Sequence, residues 1–290
     1  MQVFSEPYAL EKAKRYEVIR TVGRGAFGEG SNAVLVLEYM PSDLAKVLDG
    51  SPHPLGEGDI KAYSGMLLKG LLWMHAHGLL HRDIKPSNLL VSDRGVLKIA
   101  DLGQTRTHTI PPARSYSHQV ATRWYRAPEL LYGTRRYGFA VDMWAAGAVV
   151  GEMLAGRPLF AGRSDIDQLN KILQVTGSPT EESWPGVDEL PDYDKVCFAE
   201  MPAQEASVVF QGSSAEACDL ATKLLCLDPR NRLSSLDALR HSFFLVAPAA
   251  TPCHLLPRKH HSVTACGGGS DGDRPKKFGA AFLDEGFGFA

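Results

Sequence analysis

The chain has 290 residues, of which 44% are hydrophobic and 22% are charged, and its formal net charge is −2. These proportions are those of an ordinary globular protein with one large core or two modest ones. The nearly neutral charge gives no indication of nucleic acid or an anionic membrane as a bulk partner. The five cysteines form no Cys-x-x-Cys pair and are odd in number, which favours free thiols in a reducing compartment over a disulfide framework.

Two stretches bear on targeting. Residues 1–7 include Glu6 and contain no apolar stretch, so no secretory signal is expected there. The most apolar long run, residues 140–154, contains Asp142 and Glu152. A membrane span needs about 20 apolar residues, so this run predicts a buried helix instead. We therefore expect a protein of the cytoplasm, the nucleus or both, with no membrane partner.

The first predicted element follows the polar residues 1–15, which we assign to an N-terminal extension. Residues 16–22 alternate in the manner of a strand, and the glycine-rich segment GRGAFG occupies residues 23–28. A dinucleotide-binding loop of this pattern needs a helix directly after its glycines, and residues 29–32 do not favour one. From these residues alone, a flexible glycine turn and a hairpin over bound phosphates remain equally good interpretations.

Helical patterns dominate the rest of the chain. Apolar residues at helical spacing from Ile60 to Met74 predict a helix that ends before Gly78. Near its end, His75 and His77 are expected to cap carbonyl groups rather than to bind a metal. The other helix signals are a run over about 141–155 that ends at Gly156, and capping boxes that begin at Ser164, Ser213 and Ser234. Residues 247–290 have no apolar period and predict a disordered tail.

The strongest chemical pattern is HRDIKPSNLL, at residues 81–90. In this order Asp83 can accept a proton from an attacking hydroxyl, Lys85 can neutralise a transferring phosphoryl group, and Asn88 can ligate a magnesium ion. The pattern is that of a kinase catalytic loop, H-R-D-x-x-x-x-N. The alternative is a polar turn between two buried strands, in which the Asp and Asn side chains only satisfy backbone groups.

Two further motifs follow in the expected order. Asp101-Leu102-Gly103 comes after the strand-like residues 96–100 and resembles the magnesium-binding D-F-G of kinases, with Leu in place of Phe. The segment WYRAPE at residues 124–129 resembles the A-P-E end of an activation segment. With three motifs in the right order and spacing, the chain resembles a protein kinase.

Several stretches are similar to the cyclin-dependent kinase family of serine/threonine protein kinases, and to its cell-cycle-related kinase branch in particular. They are residues 115–133, 158–160, 165–169 and 189–193, and the resemblance as a whole covers roughly 16–28 and 33–246. It implies an α+β, protein-kinase-like fold. A truncated, β-rich N-lobe would occupy residues 16–40, a complete and mainly α-helical C-lobe residues 41–246, and the disordered tail residues 247–290.

The resemblance also implies roles for matching positions. Asp83 would be the base, Lys85 would neutralise the phosphate, Asn88 and Asp101 would hold Mg²⁺, and Thr122 would bridge Asp83 and Lys85. The backbone of Glu38 and Met40, in the hinge that follows the strand predicted at residues 33–37, would bind the adenine. Asp43 would either meet the ribose or only stabilise a helix N-terminus. The residues implied in ATP binding are Val22, Gly23, Gly25, Gly28, Glu38, Met40, Asp43, Leu90 and Asp101.

A second set of implied roles is regulatory or structural. Ser117 lies where relatives carry an activating phosphothreonine, which Arg82 and Arg106 would bind, and the alternative is a plain loop serine. Glu129 and Arg232 would form a buried ion pair that ties the activation segment to the helical lobe. Asp142 would brace the backbone of His81 and Arg82, and its alternative is a helix N-cap.

The chain departs from the family in its small lobe. Only residues 29–32 separate the glycine-rich segment from the short buried strand predicted at residues 33–37. A kinase small lobe places three strands and a helix there, roughly 40 residues at usual element lengths. They carry the lysine that pairs the ATP phosphates and the glutamate that orients it. No Val-Ala-x-Lys occurs in the chain, and the missing helix is also the main cyclin contact, so binding of a cyclin stays open.

The expected function is transfer of the ATP γ-phosphate to Ser or Thr of protein substrates in cell-cycle-type signalling, with ATP and Mg²⁺ as cofactors. In the family, Arg126 would occupy the carbonyl of residue 121 and leave no acceptor for the next substrate N–H, which favours proline there. A catalytically impaired binding module and a small-molecule phosphotransferase are the alternatives.

Overall fold

The structure is a computed structural model that describes residues 2–4, 34–50, 54–108 and 121–258. The predicted strand at 16–22, the glycine-rich segment and Ser117 lie outside the described residues. The strands and α-helices follow one another as β1 (Gln2–Phe4), β2 (Val34–Val36), β3 (Ser42–Asp43), α1 (Leu44–Gly50), α2 (Glu57–Ala76), β4 (Leu79–Leu80), β5 (Leu89–Val91), β6 (Leu97–Ile99), β7 (Arg106–Thr107), α3 (Pro128–Leu131), α4 (Ala140–Ala155), α5 (Asp165–Thr176), α6 (Ala206–Val209), α7 (Ala215–Leu224) and α8 (Ser235–Leu239).

The strands form small antiparallel sheets around the catalytic segment. Strands β3, β5 and β6 make a three-stranded sheet in that order, and β4 pairs with β7. The catalytic segment lies between β4 and β5, so both of its ends are fixed by sheet pairing. Strand β2 pairs with β1, in the stretch that the sequence analysis assigned to an N-terminal extension.

Helix α4 is the centre of the helical part of the chain. Apart from Asp142 and Glu152 it is apolar on all sides, and it is almost wholly buried, as such a helix must be in a globular protein. Glycines let neighbouring elements approach closely, because a Cβ at Gly147 would lie 2.8 Å from Leu224 Cβ. As predicted, the helix ends at Gly156, which adopts the left-handed conformation with φ +66°. Within the described ranges, no helix combines the length and apolar character needed to cross a membrane.

The predicted helix caps are correct at two of three positions. Ser164 and Ser234 accept hydrogen bonds from the N–H groups of Asp167 and Asp237, respectively. The prediction at Ser213 was wrong by one residue, because Ser214 caps α7. The N–H of Ser213 instead completes the preceding turn by donating to the carbonyl oxygen of Phe210.

The predicted disordered tail begins too early, because residues 247–258 lie against the helical part of the chain. The buried ammonium group of Lys61 donates hydrogen bonds to the carbonyl oxygens of Val246 (2.9 Å) and Pro248 (2.8 Å). Tyr63 donates its hydroxyl to the carbonyl of Pro257 at 2.5 Å, and Leu256 is buried. The segment is held mainly by hydrogen bonds to its backbone carbonyl oxygens. Such bonds do not depend on apolar side chains, so the sequence shows no apolar periodicity here. Residues 259–290 lie outside the described residues.

Candidate active site

Asp142 supports the backbone of the catalytic segment. From the first turn of α4, its Oδ2 accepts the N–H of His81 (2.9 Å) and its Oδ1 the N–H of Arg82 (2.8 Å). Arg82 has φ +68°, and this left-handed conformation costs a non-glycine residue about 1–2 kcal/mol. The two hydrogen bonds hold that conformation. The predicted bracing contact is therefore present, and the N-cap position belongs to Phe139 instead.

Asp142 is kept ionised by its surroundings. Its burial acts to raise the pKa of the carboxyl, but the hydrogen bond and charge of His75, the charge of His81 and the N–H of Arg82 outweigh burial, so the pKa is lowered. His75 Nε2 lies 3.0 Å from Asp142 Oδ2. The prediction that His75 caps a carbonyl was wrong, because the buried carboxylate is the stronger acceptor. His77 does contact a carbonyl oxygen, that of Trp73, at 2.7 Å.

Four predicted catalytic residues come together around one carboxylate. Asp83 Oδ2 accepts hydrogen bonds from Lys85 Nζ (2.8 Å) and Asn88 Nδ2 (3.0 Å). Asp83 Oδ1 accepts from the N–H (2.9 Å) and the hydroxyl (3.0 Å) of Thr122. Lys85 Nζ also reaches Thr122 Oγ1 at 2.8 Å, so Thr122 bridges the other two side chains. A segment 39 residues further along the chain is thereby fixed onto the catalytic loop.

The two predicted metal ligands offer oxygen atoms. Asn88 uses its amide nitrogen to contact the carbonyl oxygen (2.8 Å) and the carboxylate of Asp83, so its amide oxygen faces away from that residue. Asp101 is exposed, with φ +63°, and its side chain accepts the N–H of Gly103. Carboxylate and amide oxygens suit Mg²⁺, which keeps several waters and shares substrate phosphates. Across the described residues no cluster of three or more His, Cys, Asp or Glu side chains could hold a metal ion, so a site here depends on such a mixed set.

A small apolar cluster lies beside these ligands, separate from the main core. It consists of Met40, Ala100 and the partly buried Leu90. Met40 and Leu90 were predicted to bind the nucleotide. Their binding of a nucleotide stays a prediction. Ala100 was not among the predicted residues, and its position directly before Asp101 was the signal that could have added it to this cluster. The Glu38 side chain forms an ion pair with Lys98 (2.5 Å), outside this cluster.

Asp43 is engaged at a helix end. Its Oδ1 accepts the N–H of Lys46 at 2.9 Å, and its other oxygen pairs with the Lys46 ammonium group. This contact stabilises the first turn of α1, which is the alternative that the sequence analysis left open. A contact between Asp43 and a ribose stays a prediction. The remaining predicted nucleotide contacts, Val22, Gly23, Gly25 and Gly28, lie outside the described residues.

A buried ion pair anchors the A-P-E motif. Glu129 and Arg232 form two hydrogen bonds, of 2.8 and 3.0 Å, although the residues are only 3% and 6% exposed. The guanidinium of Arg232 also donates to the carbonyl oxygen of Ala140 (2.7 Å) and lies 5.1 Å from the ring centroid of Trp144. The predicted contact is present, joining residues 103 positions apart in the sequence.

The structure describes the two arginines that were predicted to bind a phosphate on Ser117, but Ser117 itself lies outside the described residues. The predicted contact therefore stays a prediction. Arg82 donates to the carbonyl oxygen of Gln104 (2.7 Å) and to the hydroxyl of Tyr137 (2.9 Å). Arg106 is exposed and contacts the carbonyl of the preceding residue. Tyr137 was not anticipated, since nothing in its local sequence distinguishes it from a core tyrosine.

Arg126 makes the contact that was expected for it. Its Nη2 donates to the carbonyl oxygen of Ala121 at 3.1 Å. Ala121 has φ +65°, and this strained conformation is unusual for an alanine. The contact removes the carbonyl as an acceptor for other N–H groups on that side.

Comparison with known proteins agrees with this geometry. Residues 1–244 match the family model described as protein kinase domain. Cyclin-dependent kinase 20 of Mus musculus is 46% identical over 256 residues, which cover 88% of this chain and 74% of that protein. Cyclin-dependent kinase 7 of Xenopus laevis is 43% identical over 240 residues, 83% of this chain and 67% of that protein.

A solved structure gives the same answer for the fold. It is the structure of the CAK complex from Chaetomium thermophilum bound to ATP-gamma-S, which matches with a TM-score of 0.73 and 38% identity. The match covers 77% of this chain and 70% of that one. The predicted protein-kinase-like fold is confirmed. The chain belongs to the protein kinase family, and its relatives place it among the cyclin-dependent kinases.

Proposed function

We propose that the chain transfers the γ-phosphate of ATP to serine or threonine hydroxyls of proteins. The observation that carries this proposal is the cluster of Lys85, Asn88 and Thr122 around the carboxylate of Asp83. A carboxylate held by several donors is positioned to orient a hydroxyl and to receive its proton. The kinases among its relatives favour this activity over a non-catalytic binding module.

The hydrogen bonds of Asp83 suggest how a substrate enters. Four donor contacts match the approximately four lone-pair positions of a carboxylate, so an incoming hydroxyl must displace one of them. Two of the donors belong to Thr122, and a third, the amide of Asn88, is buried. The ammonium of Lys85 is the one on a flexible stem. We infer that Lys85 leaves Asp83 when substrate binds and contacts the transferring phosphoryl group instead.

ATP and Mg²⁺ fit the neighbouring residues. The apolar cluster of Met40, Leu90 and Ala100 offers a surface for adenine, and the solved neighbour is described as bound to ATP-gamma-S. Asn88 and Asp101 would hold Mg²⁺ through their oxygens. The ion supplies positive charge that neutralises the phosphates in the transition state.

Further proposals concern substrates and activation. Because Arg126 occupies the Ala121 carbonyl, a substrate N–H after the phosphoacceptor would find no acceptor, and proline has no such N–H. We therefore propose that the substrates are Ser-Pro and Thr-Pro sites in cell-cycle-type signalling. When Ser117 is phosphorylated, the guanidinium groups of Arg82 and Arg106 would bind its phosphate. The relatives are named cyclin-dependent kinases and the solved neighbour is described as a complex, which makes a cyclin a candidate partner.

The test is incorporation of labelled phosphate from ATP into a Ser-Pro peptide by the full chain. Asp83→Asn should lower the rate by about 10²–10⁴, since a positioned base contributes that much. Asp93→Asn, at an exposed position in the β5–β6 turn, is the matched control and should leave the rate unchanged. Transfer that is equal in the two variants, or absent from the unaltered chain, would contradict the proposal.

A further inference from the structure

Asp165 connects two arginines of the substrate-binding side of the activation segment. It is the first residue of α5, and its Oδ1 lies 2.8 Å from Arg123 Nε while its Oδ2 lies 3.1 Å from Arg126 Nη1. Arg126 uses another nitrogen to donate to the Ala121 carbonyl. One continuous set of contacts therefore runs from Asp165 through Arg126 to that carbonyl.

Asp165 supplies the charge that this arrangement needs. The Arg126 side chain is 12% exposed, and its burial lowers the pKa of the guanidinium. The charge of Asp165 acts to raise that pKa, while the neighbouring charge of Arg123 lowers it further. Removing the carboxylate of Asp165 takes away the charge that raises this pKa, while burial and the charge of Arg123 continue to act against the charged form of Arg126. Arg126 would then gain by turning towards solvent and releasing the Ala121 carbonyl.

The activation segment has other attachments close by, so it does not depend on Asp165 for its position. Trp124 Nε1 donates to the carbonyl oxygen of Gly162 (3.1 Å), and Gln168 Nε2 donates to the carbonyl oxygen of Trp124 (3.3 Å). Helix α5 keeps its cap, because Ser164 Oγ accepts the N–H of Asp167. The Asp165 side chain is itself 50% exposed, so its removal creates no cavity.

We propose that Asp165 is a positioning residue for substrate selection, which holds Arg126 on the Ala121 carbonyl and so excludes substrates without proline after the phosphoacceptor. The inference rests on the proposed kinase function and extends it. When Asp165 is neutralised, the carbonyl becomes free to accept an N–H from a substrate residue other than proline. Use of Ser-Ala peptides should then rise, whereas a general structural defect lowers the use of every peptide.

The experiment measures kcat/KM of the full chain for two peptides that differ only in Pro or Ala after the phosphoacceptor serine. Asp165→Asn should raise kcat/KM for the Ser-Ala peptide about fivefold, since weakening a half-exposed charge pair is worth roughly 1 kcal/mol. The value for the Ser-Pro peptide should change less than about twofold, because proline makes no use of the carbonyl. Asp167→Asn is the matched control in the same helical turn, where the carboxylate contacts the N–H of Arg163 and neither Arg123 nor Arg126 takes part in that bond.

A second measurement separates this proposal from the kinase function itself. Fluorescence anisotropy gives the Kd of the same two peptides, labelled with fluorescein, without requiring catalysis. If the unaltered chain transfers no phosphate, the kinase proposal fails. The peptide affinities then test by themselves whether Asp165 determines the preference for proline. A Pro/Ala preference that falls in Asp165→Asn but not in Asp167→Asn supports the inference. A preference that is absent from the unaltered chain, unchanged in Asp165→Asn, or lost equally in both variants overturns it.

Discussion

The ammonium group of Lys61 lies 2.9 Å from the carbonyl oxygen of Val246, in a site where the lysine side chain is only 1% exposed. The same nitrogen contacts the carbonyl oxygen of Pro248 at 2.8 Å and the carboxylate of Glu57 at 3.2 Å. A buried lysine is tolerated when it is paired and hydrogen-bonded, and here the partners include the segment that follows the last helix. Lys61 therefore joins α2 to residues 246–258.

This relationship predicts that Lys61→Met destabilises the protein. Methionine fits the space but leaves the carbonyl oxygens of Val246 and Pro248 and the carboxylate of Glu57 without their charged donor, at a cost of about 1.5–3 kcal/mol for each such bond. We expect the free energy of unfolding in urea to fall by at least ~3 kcal/mol, with earlier proteolytic cleavage within 247–258. Lys69→Met, on the exposed side of α2, is the control. A similar stability for both variants would contradict this account.

A second prediction concerns Asp142 and acid. The lowered pKa means that Asp142 stabilises the fold above its unfolded pKa, near 3.9, and that this contribution is lost as the pH falls towards the folded pKa. Asp142→Asn should cost about 1.5–3 kcal/mol for each charge-assisted hydrogen bond that is lost at neutral pH, because the buried N–H groups of His81 and Arg82 lose an ionised acceptor. The difference between the two proteins should shrink below about pH 4. Urea unfolding at a series of pH values checks this, and a difference that does not change with pH would rule it out.

The same variant should also impair phosphate transfer. Without the ionised carboxylate, the left-handed backbone at Arg82 loses two strong acceptors, and Asp83 follows directly in sequence. A displacement of a catalytic group by about 1 Å can lower a rate by roughly 10²-fold. We therefore expect kcat to fall about 10²-fold while the KM for ATP changes little. A KM effect with an unchanged kcat would mean that Asp142 serves nucleotide binding instead.

What the sequence predicted best was chemistry confined to short segments. Asp83, Lys85 and Asn88 lie within six positions, so one motif places all three, and the family resemblance added the distant Thr122. What it missed were polar contacts between remote segments, such as His75 with Asp142, or Lys61 with the carbonyls after Phe244. Such contacts do not recur at a regular spacing along the sequence. Every residue also has the same backbone carbonyl, so the sequence does not show which carbonyl accepts the bond. The early start of the predicted tail has this cause.

A third prediction compares a buried with an exposed ion pair. Replacing Glu129 by Gln leaves the Arg232 guanidinium buried without its counter-charge, which should cost about 3–5 kcal/mol. Arg232→Met should cost more than this, because Arg232 also donates to three backbone carbonyls. Lys223–Asp219, exposed at both ends, is the matched pair, and Lys223→Met should cost no more than about 1 kcal/mol. The change is made at Lys223 because Asp219 also contacts the nearly buried His241. Equal costs in denaturant titrations would refute the assigned role of burial.

The last prediction concerns the short connection between the glycine-rich segment and the hinge strand. Residues 29–32 leave no room for the strand lysine that pairs the ATP phosphates or for the glutamate that orients it. The phosphate contacts that we expect to remain are those of the glycine-rich backbone and of Asp101 and Asn88 through magnesium. Nucleotide affinity should therefore be low and the transfer rate lower still, because positioning the phosphoryl group is most of what a kinase contributes.

We expect very low activity from the 290-residue chain. Activity should recover when a kinase segment of roughly 40 residues, with the lysine and the glutamate, is inserted between Gly28 and Ala33. Both proteins are assayed for phosphate incorporation into a Ser-Pro peptide, with Asp83→Asn in each as the control. An insert in which the lysine is replaced by Met tests whether recovery comes from charge or only from a larger sheet. Equal, Asp83-dependent turnover by the short chain would overturn the prediction and leave Arg24, the nearest cation in sequence, as the first candidate to replace the lysine.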